Sequence, residues 1–80
     1  MYNQDIVEAM IEKFGLARTA TFCQMQSYYF KLLALEFAVK RPGGINEYEF
    51  ERDWFKKKYD ELSKQLNHNE NHEGEKVHDY

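Results

Sequence analysis

Cysteine, proline, glycine and positive charge are all scarce in this chain, and each shortage excludes something. One cysteine, Cys23, means that no intrachain disulfide can form. A lone thiol inside an apolar run fits a reducing compartment and a packing role. It does not fit a catalytic nucleophile, because the three histidines lie far away at positions 68, 72 and 78. One proline and four glycines leave few places where a helix must stop. Lys and Arg number 11 against 14 Asp and Glu, for a net charge of −3. Residues 1–44 carry five basic and four acidic groups, and residues 45–80 carry six and ten. General binding to a phosphate backbone relies on clustered Lys and Arg, so nucleic acid is not the expected partner.

Long uncharged apolar runs are also missing. A membrane span needs about 18 or more such residues, and Lys31 and Glu36 interrupt the best candidate. Asp5, Glu8 and Glu12 stand where a signal peptide would carry positive charge and an apolar run. The chain is therefore expected to be soluble and cytoplasmic, without membrane contact. No glycine-rich phosphate loop, nucleophile elbow or carboxylate pair in an apolar setting is visible. Neither an enzyme, nor a cofactor, nor a metal is expected.

What the chain has is aromatic and aliphatic bulk. Phe, Tyr and Trp make up 16% of it, and such side chains dominate cores and interfaces alike. The stretch from Ala20 to Val39 holds Phe22, Cys23, Met25, Tyr28, Tyr29, Phe30, Leu32, Leu33, Leu35, Phe37 and Val39. On a helical wheel these leave one narrow polar band, made by Gln24, Ser27 and Lys31. A helix apolar nearly all round is buried nearly all round. Eighty residues form one domain with little of its own to bury such a helix.

The expected fold is all-α: a short N-terminal helix, a long apolar central helix and an antiparallel charged third helix, as a three-helix bundle or helical hairpin. The first helix spans Ile6 to Phe14, with Asp5 as N-cap and Glu8 completing a capping box. Gly15 supplies a left-handed C′ residue and Leu16 the apolar contact of a Schellman ending. The second runs from an N-cap at Thr19 to Lys40, stopped by Pro42-Gly43-Gly44. The third begins after an N-cap at Asn46, with Ile45 and Phe50 as a hydrophobic staple. Tyr48, Phe55, Tyr59, Leu62 and Leu66 form its stripe, a seam for another helix. The helical domain covers residues 1–67. Residues 68–80 lack apolar content before Val77 and read as a polar, flexible C-terminal tail.

Four groups of residues bear on function. On the second helix, Phe22, Cys23, Phe30, Leu33 and Phe37 point one way. Met25, Tyr28, Leu32, Leu35 and Val39 point another, about 140° away at 100° per residue. The short first helix cannot cover a helix this long, so part of one face is expected to pair with another subunit. Phe50 and Trp54 lie off the main stripe of the third helix, and Trp54 has the character of an interface anchor. These seven residues, Met25, Tyr28, Leu32, Leu35, Val39, Phe50 and Trp54, are the candidate protein interface. Residues 10–25 loosely resemble a helix-turn-helix unit, carried by Met10 to Phe22 with Gly15 at the turn. That resemblance implies that Arg18, Thr19, Thr21 and Gln24 face a major groove. The would-be reading helix has a single basic residue in its first turns, where phosphate contacts need several. His68 and His72 are spaced to share a metal ion on a continued helix, but no thiolate accompanies them, and a solvated tail accounts for them. The function expected is non-catalytic protein binding, by self-association, to a larger protein, or both. Assembly factors, structural subunits and inhibitors are of this kind. The alternative is a small helix-turn-helix DNA-binding regulator.

Overall fold

The computed structural model describes residues 2–78, with side chains described through His68. Among these residues there are three α-helices and no strand: α1 (Gln4–Phe14), α2 (Leu16–Lys40) and α3 (Glu47–His78). The fold is all-α. α2 and α3 form an antiparallel hairpin, and α1 packs on α2. The tail expected at residues 68–80 falls almost wholly outside the described side chains.

Helix boundaries follow local chemistry, with some departures from expectation. Asn3, not Asp5, caps α1: its side-chain carbonyl accepts the Ile6 N–H at 3.0 Å. Asp5 falls inside the first turn, where its charge still suits the helix dipole. Gly15 ends α1 with φ 92° and ψ 164°. That is a positive-φ region open to glycine, but it is extended and not the left-handed helical C′ of a Schellman ending. The reason is that the chain turns at once into α2. Leu16 is already helical, and Thr19 lies buried within the first turn of α2 instead of capping it. Its hydroxyl donates back to the Gly15 carbonyl at 2.8 Å.

α2 stops at Lys40 as expected, followed by Pro42 and by Gly43 at φ 81°. Asn46 precedes α3, and its backbone carbonyl accepts the Glu49 N–H at 3.1 Å. Its side chain does something else: Nδ2 donates to the Ala34 carbonyl at 2.8 Å, tying the loop back to α2. Its Oδ1 is buried without a hydrogen-bond partner among the described residues. Ile45 and Phe50, the expected staple, both stand mostly in solvent.

The core is narrow. Val7, Ala20, Cys23, Phe55 and Leu62 form its buried centre. The α3 stripe faces α2 as its spacing requires, with Phe55 and Leu62 buried and Tyr59 and Leu66 packed beside them. Phe55 stacks on Phe30 with centroids 5.8 Å apart and meets Tyr2 and Trp54 edge-on. On the α2 side the buried residues are small: Thr19, Ala20, Cys23, Ser27 and Ala34. Small side chains let α3 approach closely and leave room for the Phe55 ring.

α2 is not buried all round within one chain. The molecule extends 59 × 24 × 13 Å, so it is elongated. Its radius of gyration is 16.3 Å, against about 12 Å for a compact chain of this length. Folded domains generally bury apolar faces between two layers. Here α1, α2 and α3 share one narrow core, and the face of α2 turned away from it lies open.

Candidate protein-docking surface

The candidate site is the face of α2 turned away from α3. Met25, Tyr28, Leu32, Leu35 and Val39 lie along it in steps of three, four, three and four. That alternation averages 3.5 residues, the period that keeps an apolar seam facing a partner helix. All five side chains are exposed: 63% for Met25, 59% for Tyr28, 66% for Leu32, 58% for Leu35 and 81% for Val39. Given ordinary side-chain areas they present roughly 600 Å², the size of the largest apolar patch on a typical monomer. The face points outward because α3 takes the opposite side of α2, at Cys23, Ser27 and Ala34. α1 cannot reach it either, since α1 docks through Val7 beside Ala20 and Cys23.

Polar groups border the seam. Lys31 lies on one flank and Glu36 on the other, each exposed. Glu36 pairs with Lys40 at 3.2 Å, one turn later on its own helix. Lys31 makes no ion pair among the described residues. It lines a cleft of about 360 Å³ between α2 and α3, with Ser27, Tyr28, Arg52, Asp53 and Lys56 among its walls.

Phe50 and Trp54 do not join this face. Phe50 is 67% exposed and lines a separate open groove of about 610 Å³ with Tyr2, Phe30, Ile45 and Tyr48. The groove was not legible as a site, because Ile45 and Phe50 read as a local staple and Tyr2 lay outside any helix. Trp54 is half-buried, with its ring edge-on to Phe55 at 5.0 Å and the Lys58 ammonium 5.5 Å from its centroid. The structure therefore gathers five of the seven candidate residues and sets two apart.

Compared with protein-family models, curated proteins and solved structures, the chain matches none. What it can do is read from its own surfaces. Cys23 is fully buried, and burial pushes its thiol pKa up, partly opposed by the nearby Lys58 charge. A thiol held protonated is a poor nucleophile. No group of three His, Cys, Asp or Glu side chains gathers as a metal site among the described residues. His72 and His78, which the sequence spaces with His68, lie outside the described side chains. No helix among the described residues is long and apolar enough to cross a membrane.

The helix-turn-helix resemblance finds a different joint. Such units use a turn of about three or four residues, whereas Gly15 alone separates α1 from α2. Thr19, one of the four residues that would face a groove, is fully buried. Arg18 and Thr21 are exposed.

Proposed function

We propose that this chain is a non-catalytic protein-interaction module whose docking surface is the outer face of α2. The observation that carries this reading is the exposed seam Met25–Tyr28–Leu32–Leu35–Val39 on the face of α2 turned away from the core. Apolar surface of this extent favours removal from water, and a 3.5-residue period suits a helical partner. The face offers no nucleophile, acid–base pair or ligand set, so its chemistry is burial alone. Such a face suits self-association, docking on a larger protein as an assembly factor, structural subunit or inhibitor, or both. A free, buried Cys23 suits the cytoplasm.

The test is photo-crosslinking in the native host from a photoreactive residue at position 32, with position 64 as control. Lys64 is exposed on α3, away from the seam. The expected result is a discrete protein adduct from position 32 and none from position 64. Equal or absent crosslinking at the two positions overturns the reading.

A further inference from the structure

We infer that the helix covering this seam is α2 of a second copy, lying parallel and in register. The inference rests on the docking reading above and adds the identity of the occupant and its direction. Three observations on the face point there.

The seam has the spacing of paired identical helices. With Met25, Leu32 and Val39 at one set of core positions and Tyr28 and Leu35 at the other, a parallel twofold pair places each residue against its own copy. β-branched Val39 and γ-branched Leu35 occupy the positions that two-stranded parallel pairs favour for those shapes.

The flanking charges complement one another only in the parallel sense. In a parallel pair, a flank residue of one helix faces the opposite flank of its partner five residues on. Lys31 therefore meets Glu36 of the second copy, and twofold symmetry repeats the pair. In the antiparallel alternative that sets Met25 on Leu35 and Tyr28 on Leu32, like flanks meet, and Lys31 opposes Lys31. Shifting that alternative by one heptad removes the repulsion but sets both charges against uncharged residues. Lys31 has no ion-pair partner among the described residues, and Glu36 is 59% exposed on its side chain although it bonds Lys40.

The area matches a modest dimer. Roughly 600 Å² from each copy gives about 1,200 Å² in total, the lower bound of stable specific interfaces. The twofold contact is self-complementary and closes, so it ends at two copies and does not propagate.

Sedimentation equilibrium of the purified full chain from about 5 to 200 µM measures the state directly. The expected mass approaches twice the 9.7 kDa of one chain at the upper end. Lys31→Glu then weakens the dimer by about ten-fold, and adding Glu36→Lys restores it to within about three-fold. Tyr28→Cys forms an intermolecular disulfide under mild oxidation, because parallel pairing brings the two positions within bonding reach. A mass of 9.7 kDa throughout overturns the dimer but leaves the docking reading to the crosslinking experiment. A dimer that Lys31→Glu strengthens or leaves unchanged, or one in which Tyr28→Cys fails to crosslink, overturns the parallel arrangement. Leu32→Asp abolishes the dimer with helicity retained; a dimer that survives it does not use this face.

Discussion

Phe55→Ala is the sharpest perturbation of the single-chain fold. Phe55 is fully buried at the crossing of α1, α2 and α3, with Tyr2, Phe22, Phe30 and Trp54 within ring contact. Truncation removes the transfer free energy of the ring and leaves a cavity that four rigid rings cannot easily fill, for a cost of about 3–5 kcal/mol. A chain of this size has about 4–12 kcal/mol in all, and a core of so few buried residues places it low in that range. The variant should therefore be largely unfolded at room temperature or melt roughly 15–30 °C lower. Urea titration followed by far-UV circular dichroism, at one fixed protein concentration, reads the loss. Phe55→Leu keeps most of the volume and should cost clearly less. A loss below about 1.5 kcal/mol for Phe55→Ala would refute the reasoning, since it would mean that the ring is not packed as described.

Gly15→Ala should cost about 1–3 kcal/mol although its new methyl group meets no atom within 4 Å, because the backbone there is open to glycine alone. Faster proteolysis within α1 and a lower melting point check it. Trp54→Ala should cost about 2 kcal/mol of single-chain stability, less than Phe55→Ala, because the indole is only half-buried. A urea titration below the concentration of any association measures that. Burial raises the Cys23 pKa, so the folded state holds the thiol proton more tightly than the unfolded chain does. Stability from this group is full below the ordinary thiol range and falls as pH rises through and above it. The stability of Cys23→Ala should lack that part of the alkaline decline.

The third helix was legible because its core residues are large. Phe55 and Leu62 announce their face by size and spacing, and their neighbours Tyr59 and Leu66 follow. The buried side of α2 was legible only in part. Cys23 and Phe30 mark it, but Ala20, Ser27 and Ala34 carry little hydropathy and owe their burial to close approach by α3. The start of α2 was misjudged for a related reason. Thr19 has the chemistry of a cap, but its hydroxyl can equally bond a carbonyl one turn back, as it does to Gly15. Asn46 likewise had the position of a cap, and the nearness of Ala34, which only folding reveals, drew its side chain elsewhere. The outward stripe was legible as a second apolar face. That α1 leaves it open follows from the single-residue joint at Gly15, which keeps α1 beside α2 and off its back, and α3 leaves it open by packing on the opposite side, at Cys23, Ser27 and Ala34.

The most direct measurement of the central claim is the reactivity of a thiol placed on the seam. Leu32→Cys puts it at a position 66% exposed in a lone chain, while Cys23 stays buried as an internal reference. Alkylation is timed in intact cells of the native host and again in purified protein diluted well below micromolar. The account predicts rapid labelling of position 32 on dilution and at least about ten-fold slower labelling in the cell, where another chain covers it. Equally rapid labelling in both would contradict it, for then the outer face of α2 stands uncovered where the protein works.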